Sequence, residues 1–181
     1  HLHLVEFPHT EQSYAGTLYA NLVPLSEVLL NAQPTQTTGP QALPFYIVAH
    51  EMTHLWFGNH VMPAYAEGAT FLTESITEYL TLLLYEEAFG SAAAERFLTL
   101  QRTRYINGRR RATAPERSLL RVLPEQHYLS YAKGALALYA IDQRVGRAVL
   151  HAALRRYLAV YHDRPGHYPL STDFLALLLE V

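Results

Sequence analysis

The sequence predicts a mainly α-helical α+β domain with a small β unit at its N-terminus. After residue 43, apolar residues recur at helical spacing along most of the chain, which indicates amphipathic helices. Residues 2–7 and 17–25 are instead short segments rich in Leu, Val and Tyr, which is typical of strands. Residues 31–42 are polar and without apolar periodicity, so they are predicted to form the loop that joins the two regions.

Length and charge restrict the kinds of protein this can be. With 181 residues, half of them hydrophobic, we expect one domain over residues 1–181, with a strand region at about 1–42 and a helical region at about 43–181. The net charge of −2 argues neither for nucleic acid nor for an anionic membrane surface as a partner, and we expect no nucleic acid partner. The chain has no cysteine, so its fold requires no disulfide. Because it opens at His1 rather than Met, we expect a piece excised from a longer protein.

Glycine and proline divide the helical region into separate helices. A helix ending near residue 88 is followed by Gly90, which suits a helix C-cap, and Pro115 and Pro124 predict an irregular segment over 108–127. A turn is expected at Pro165-Gly166. The predicted helices span about 44–59, 70–88, 91–107, 128–144, 147–162 and 172 to the end.

The first of these helices contains the string His50-Glu51-Met52-Thr53-His54. Residues four apart lie one turn from each other on the same helix face, so His50 and His54 can bind one divalent cation together. Glu51 lies on the flank between them, where it can take a proton from a water held by the metal. This HExxH pattern is typical of zinc metalloproteases.

A zinc ion held by two histidines needs a third protein ligand. Glu74 follows His54 with nineteen residues between, on a helix that can pack antiparallel to the first. Glu67 is the alternative, but it adjoins Gly68 in a loop, where ligand geometry is less well fixed. We therefore favour Glu74.

Glu78 lies one turn beyond Glu74 on the same helix face. It could accept the free ring N–H of a metal-bound histidine, as such histidines usually require. The alternative is an ordinary glutamate on a solvated helix surface.

The segments HEMTHLWFGNH and FLTESITEY resemble the aminopeptidase N type of gluzincin metallopeptidase, whose members read HExxH-x-W-F/W-G-N and then N-E-G-F-x-x-Y. Glu74 and Tyr79 match the second pattern, and Thr73 and Ser75 stand where the family has Asn and Gly. The resemblance extends over about 5–179. It implies a thermolysin-like (gluzincin) catalytic domain that binds Zn²⁺ and cleaves peptides with zinc-activated water.

The gap of nineteen residues before Glu74 departs from the family, in which it is usually eighteen. The longer gap resembles a bacterial branch in which the peptidase-like domain is part of an ABC transporter permease. That branch implies a soluble domain of a membrane-associated protein, with transmembrane transporter segments as partners. We expect the extra residue to lie in the loop, where insertions cost little.

A second match lies downstream, where the segment from Tyr128 to Gly134 resembles the family's Tyr-x-Lys-Gly element. The resemblance implies that Tyr131 points its hydroxyl at the scissile carbonyl and stabilises the oxyanion, as a placed O–H donor can. The alternative is a packing role, because the chain has 13 tyrosines.

The sequence departs from the family pattern before the predicted helix that contains His50 and His54. Its members carry Gly-Ala-Met-Glu-Asn on an edge strand, and the glutamate binds the free amino group of the substrate. The matching stretch here is Ala15-Gly16-Thr17-Leu18-Tyr19-Ala20-Asn21, with Leu18 at the glutamate position. Leucine cannot pair with an ammonium group, so selectivity for free N-termini is not implied.

Two functions are consistent with these patterns. The first is an aminopeptidase-like zinc metallopeptidase in which Glu51 and Tyr131 are catalytic. The second is a non-catalytic peptide-binding or sensing module of a membrane transporter that retains the zinc site.

Among the other histidines, His60 is expected to point away from the metal, about 240° round the helix from His54, whereas His127 could reach the site.

Overall fold

The computed structural model describes residues 2–10, 17, 19, 21–30 and 43–181. Two π-helical turns lead directly into longer helices: the first π turn is Phe71–Ser75 and the second is Tyr128–Lys133. A short 3-10 turn spans Leu119–Arg121. The strands are β1 (His3–Phe7) and β2 (Leu22–Ser26), and the α-helices are α1 (Glu27–Leu30), α2 (Leu43–Thr53), α3 (Ile76–Phe89), α4 (Ser91–Arg111), α5 (Gly134–Val145), α6 (Arg147–Tyr161) and α7 (Ser171–Leu179). The predicted mainly helical α+β fold with a small N-terminal β unit is confirmed.

The two strands form a parallel pair beside α2. Val23 and Leu25 alternate along β2 and are buried, as expected where one face of a strand meets the core. The hydrophobic residues that they contact are Ile47, Val48 and Leu55. β2 begins at Leu22 rather than at residue 17, because Tyr19 and Leu22 form an antiparallel bridge with both backbone bonds at 2.8 Å, which turns the chain. The loop predicted over 31–42 lies outside the described residues.

Helix α2 ends at Thr53 rather than at residue 59. The chain turns back instead: the amide of Gly58 bonds to the Val61 carbonyl at 3.0 Å, and Gly58 has a φ of +132°. A positive φ of this kind is easily adopted only by glycine. His60 is therefore not on a helix, and its predicted position 240° round that helix is wrong.

The remaining helices follow the prediction closely. Gly90 ends α3 with a φ of +81°, as a helix-terminating glycine does. Helix α4 continues to Arg111 instead of ending near residue 107, although Asn107-Gly108 reads as a helix end. A Cβ at Gly108 would lie 2.2 Å from the Tyr128 Cβ, so this glycine serves close packing against the second π turn and not helix termination.

The main hydrophobic core lies among α3, α5, α6 and α7. Its largest buried members include Ile76, Tyr79, Leu138, Tyr157 and Phe174. A second cluster of buried side chains joins α3 to α4, and α2 packs against α3 beside it. None of the helices in the described ranges is long and apolar enough to cross a membrane.

Candidate metal centre

His50 lies in the last turn of α2, and His54 directly follows the end of that helix. The His54 amide lies 3.4 Å from the His50 carbonyl and 3.2 Å from that of Glu51, so the helical spacing of the pair is kept at the helix end. The Nε2 atoms of the two rings are 3.1 Å apart. Both rings therefore direct a nitrogen toward the same point.

Glu74 joins this pair from the first π turn. Its Oε2 lies 3.4 Å from the Nε2 atom of each histidine. Tetrahedral zinc with bonds of about 2.0–2.2 Å separates neighbouring ligand atoms by about 3.3–3.5 Å, which is close to these distances. The Glu74 Oε2 is buried and has no hydrogen-bond partner among the described residues, so a cation at this point would satisfy it. The three residues fit a zinc ion.

Glu78 lies behind His50 and is fully buried, which rules out the alternative of a solvated surface glutamate. Its Oε1 is 3.3 Å from the His50 Nδ1. The same oxygen accepts a hydrogen bond from the Tyr46 hydroxyl, and Oε2 accepts one from the Gln101 amide at 2.8 Å. A carboxylate in this position suits a metal-binding histidine whose other ring nitrogen needs an acceptor.

The turn after α2 orients His54. Its Nδ1 donates to the Phe57 carbonyl at 3.0 Å, which leaves Nε2 as the nitrogen that faces His50 and Glu74. The Asn59 side-chain amide donates to the His54 carbonyl at 2.9 Å. The segment Trp56-Phe57-Gly58-Asn59 therefore holds the second histidine in place.

Burial and charge act in opposite directions on the three candidate ligands. Burial lowers the pKa of His50, but contacts with the Glu74 and Glu78 carboxylates outweigh it and raise the pKa to about 10. Burial likewise lowers the pKa of His54, and Glu74 raises it above the usual value. Burial raises the pKa of Glu74, but the two histidines lower it by more, so the carboxyl group stays ionised. The carboxylates that raise the pKa values of the histidines would also attract a divalent cation, and the histidines would release their protons when it binds.

Glu51 lies on α2 directly after His50 and is largely buried. Burial raises the pKa of its carboxyl group, and the nearby histidines His50 and His54 oppose this effect. The net shift is upward, toward the pH range in which a carboxylate can both take and return a proton.

Tyr131 lies on the second π turn and stacks on His50, with ring centroids 5.7 Å apart and planes inclined by 9°. Burial raises the pKa of its hydroxyl, and the Glu74 carboxylate raises it further, well above the ordinary value. The hydroxyl therefore stays protonated and can donate a hydrogen bond. The ring of His127 lies 5.7 Å from that of Tyr131, so His127 is near this group without touching the three candidate ligands.

The two π turns that carry Glu74 and Tyr131 are in direct contact. The Ser75 hydroxyl donates to the Ser130 carbonyl at 2.6 Å. A Cβ at Gly134 would lie 2.0 Å from the Ser75 Oγ and 2.3 Å from its Cβ, so only glycine permits this approach. The glycine of the Tyr-x-Lys-Gly element therefore fixes the distance between the two turns.

Glu67, the alternative third ligand, does not reach the metal centre. It is exposed and forms ion pairs with Arg117 and with Arg121, the latter at 2.9 Å. The alternative is therefore wrong, because these arginines hold the carboxylate on the protein surface.

His60 lies in a separate, exposed group with His162 and Asp163. Its Nδ1 donates to Asp163 at 3.0 Å, and its ring stacks on that of His162 with centroids 4.5 Å apart. These contacts join the turn after α2 to the end of α6. His60 is directed away from the metal centre as expected, although for a different reason.

Two residues that shape the site escaped prediction. Tyr46 lies four residues before His50 on the same face of α2, and this spacing was a usable signal. Gln101 comes from α4, and no sequence spacing connects it to Glu78. Leu18, at the expected position of the amine-binding glutamate, lies outside the described residues.

The fold is similar to that of zinc metallopeptidases from Deinococcus radiodurans. A structure titled as the M1 zinc metallopeptidase of that organism shares 22% sequence identity with the chain at a TM-score of 0.67, covering 99% of this chain and 35% of that one. A point mutant of that enzyme shares 22% sequence identity with the chain at a TM-score of 0.67, and the match covers 99% of this chain and 36% of that one. For the same mutant bound to a Tyr-Ser-Ala substrate, the sequence identity is 22% and the TM-score is 0.66, and the match covers 99% of this chain and 35% of that one. The chain thus spans about a third of the length of these proteins.

Sequence comparison gives a family but no close relative. No curated protein matches the chain. The family described as "Peptidase family M1 domain" matches residues 19–168, which is most of the chain. The expected resemblance to the aminopeptidase N family is thereby confirmed, whereas the transporter branch stays a prediction. The chain belongs to peptidase family M1.

Proposed function

We propose that this chain is the catalytic domain of a zinc-dependent peptidase that hydrolyses peptide bonds in the manner of an aminopeptidase. The observation that carries the proposal is the triangle of ligand atoms from His50, His54 and Glu74, which are 3.1–3.4 Å apart. Glu51 and Tyr131 flank this triangle, and a purely structural zinc site needs neither of them. Membership of family M1 supports the same function.

Each residue has a defined part in this reaction. His50, His54 and Glu74 hold the zinc, which when bound supplies a Lewis acid for the carbonyl group and for water. Glu51 accepts a proton from the attacking water and returns it to the leaving amine. Tyr131 donates a hydrogen bond to the carbonyl oxygen as negative charge develops on it. Glu78 acts through His50, by holding its ring in the orientation that binds metal.

The family pattern places its amine-binding glutamate at position 18, where this chain has leucine. Leucine there cannot pair with an ammonium group, so we propose that cleavage does not depend strictly on a free N-terminus. Peptides that differ only in N-terminal acetylation test this point. Cleavage of both forms is expected, and strict selection of the free form would mean that another part of the protein supplies the amine anchor.

The nineteen-residue gap before Glu74 supports a further proposal about the parent protein. It resembles the bacterial branch in which this domain belongs to an ABC transporter permease, so transmembrane transporter segments are proposed as partners. Fractionation of cells tests this with an antibody against the chain. Recovery with membranes is expected, and recovery in the soluble fraction alone would contradict the proposal.

Metal analysis of the full-length protein that contains this chain tests the main proposal. About one zinc per chain is expected, lost in His54→Ala. Glu51→Gln should retain zinc and lower peptide turnover by about 10²–10⁴-fold. Full turnover by Glu51→Gln would refute the mechanism. A zinc-loaded protein that binds peptides and never cleaves them would instead indicate the non-catalytic peptide-binding module.

A further inference from the structure

A cleft of about 570 Å³ opens beside Tyr131, between α4 and the second π turn. Of the residues that line the cleft, only Tyr131 has a role in the proposed reaction. The other side chains that matter here are two arginines, an asparagine, a histidine and a second tyrosine: Arg104, Arg111, Asn107, His127 and Tyr128. The cleft therefore places cationic and hydrogen-bonding groups next to a residue of the proposed reaction.

The arginines reach this cleft because of their spacing on α4. Arg104, Asn107 and Arg111 follow one another at intervals of three and four residues, so they share one helix face. Gly108 lies on the same face and has no side chain to hold the second π turn away, since a Cβ there would meet Tyr128 at 2.2 Å. The arginine-bearing face is thus packed closely against the segment that carries Tyr131.

The positive charge of the cleft comes from Arg104 and Arg111, and the Glu78 carboxylate lies beyond the Tyr46 hydroxyl, outside the cleft wall. Among the described residues, none that lines the cleft is acidic. Neighbouring arginines are neutralised, as Arg109 is by Glu116 and Arg117 by Glu67. Arg104 and Arg111 take part in none of the ion pairs found among the described residues. Two such guanidinium groups on one wall favour an anionic ligand.

The cleft is also connected to the metal centre. Burial and the Glu78 carboxylate raise the pKa of the Tyr46 hydroxyl, and the nearby Arg104 guanidinium opposes them. That hydroxyl donates to Glu78 behind His50. On the other side, Tyr131 both lines the cleft and stacks on His50. A ligand group in the cleft would therefore lie beside Tyr131, the residue that the proposed reaction assigns to the carbonyl oxygen of the cleaved bond.

We propose that this cleft binds a carboxylate group of the peptide substrate, held by Arg104 and Arg111. The inference rests on the proposed peptidase function and adds a substrate class to it: peptides with an acidic side chain, or with their C-terminal carboxylate, near the scissile bond. A guanidinium group matches a carboxylate with two parallel hydrogen bonds, which makes this ligand preferable to a neutral amide of the same shape.

Binding of matched peptides tests the inference independently of turnover. The zinc-loaded Glu51→Gln protein at full length is titrated with fluorescent peptide pairs that differ only as Glu against Gln at one position, or as C-terminal acid against amide. The first pair tests a side-chain carboxylate and the second a terminal one. Tighter binding of the acidic member by about tenfold or more is expected for one of the pairs.

Variants of α4 locate the source of this preference. Arg111→Gln, introduced into the same protein, should reduce the acid-to-amide ratio to below about threefold, and Arg111→Glu should reverse it. Arg110→Gln is the matched control, because Arg110 is an exposed arginine of the same helix that does not line the cleft. It should leave the ratio unchanged. Circular dichroism of the variants confirms that each is folded.

Three results would overturn the inference: equal binding of acidic and neutral peptides, no binding of any acidic peptide, or a preference that survives in Arg104→Gln/Arg111→Gln. None of these depends on cleavage. If the wild-type protein cleaves no peptide but the charge preference is present and lost with Arg111, the peptidase proposal fails and the carboxylate site stands.

Discussion

The Nδ1 atom of His50 lies 3.3 Å from the Oε1 atom of Glu78, and both oxygens of that buried carboxylate already accept hydrogen bonds from Tyr46 and Gln101. Glu78, on α3, is therefore fixed in position by side chains from two other helices, α2 and α4. His50 is held with its other nitrogen toward His54 and Glu74. The geometry of the three candidate ligands thus depends on Tyr46, Glu78 and Gln101, which lie outside the ligand triangle.

Glu78→Gln should weaken zinc binding by about 10- to 100-fold, because the amide removes the charge that supports His50. Competition with a chromophoric chelator measures the affinity. Glu87→Gln is the control, since Glu87 is an exposed glutamate of the same helix that forms none of the ion pairs among the described residues. Equal zinc affinity in Glu78→Gln and the wild type would remove Glu78 from the metal site.

Tyr131→Phe should lower kcat by about 10²–10³-fold with little change in KM, because its hydroxyl acts mainly on the charge of the transition state. The phenylalanine keeps the ring that stacks on His50, so zinc content should not change. Steady-state kinetics and metal analysis on the same samples separate the two effects. Tyr139→Phe, on α5 and away from the metal, should have normal kcat. A normal kcat in Tyr131→Phe would leave the tyrosine with a packing role.

Gly134→Ala should destabilise the protein by about 2 kcal/mol. In an exposed helix this change would gain about 1 kcal/mol, but overpacking of a buried position costs about 1–3 kcal/mol or more. The Ser75 hydroxyl can rotate away from the new methyl group, whereas its Cβ, at 2.3 Å, cannot. Urea unfolding gives the free energies.

The double variant Ser75→Gly/Gly134→Ala is the matched test of this cause. Removal of the Ser75 side chain should recover part of the loss, so the two changes should couple and not add. A Gly134→Ala protein as stable as the wild type, or strict additivity, would mean that the two π turns separate easily.

His151 should make stability depend on pH. Burial lowers the pKa of its ring, with help from Arg147 and Arg155, although Asp142 opposes them. The unfolded chain therefore takes up a proton first, so the stabilisation is complete above the unfolded pKa of about 6.5 and is lost as pH falls through the lowered folded value.

Comparison of melting temperatures between about pH 7 and pH 5 checks this effect. His151→Gln should flatten the fall in melting temperature, because glutamine can still bond to the Tyr79 hydroxyl, which lies 3.3 Å from the histidine Nε2. His167→Gln, in the exposed turn before α7, should keep the wild-type slope. Identical slopes in all three proteins would show that His151 titrates alike in the folded and unfolded chains.

The local chemistry of the site could be read from the sequence to a considerable extent. The helical spacing of His50 and His54 puts both on one face, and apolar periodicity around Glu74 puts that residue on a second helix. The structure brings these three together. Gly90 and the helix boundaries near it were also predictable, since glycine strongly favours helix ends.

Features set by tertiary contacts were not predictable. The early end of α2 follows from the turn at Gly58 and from the bond between His54 and the Phe57 carbonyl, whereas the sequence there still permits helix. The continuation of α4 through Gly108 follows from contact with Tyr128. In α4 a local preference is reversed because a segment distant in the sequence packs against it, whereas at the end of α2 a local turn replaces the helix.

The two π turns have a consequence for how this sequence can change over time. A π turn holds more residues than an α turn, so losing one residue from it allows the helix to continue as ordinary α-helix. The side chains before the deletion would then rotate by about 100° relative to those after it. Deletions within Phe71–Ser75 or Tyr128–Lys133 should therefore be purged by selection, and the residue that lengthens the gap before Glu74 can reside in the first of these turns as well as in the preceding loop. We therefore expect selection to act on the number of residues in each of these two turns as well as on which residues they are.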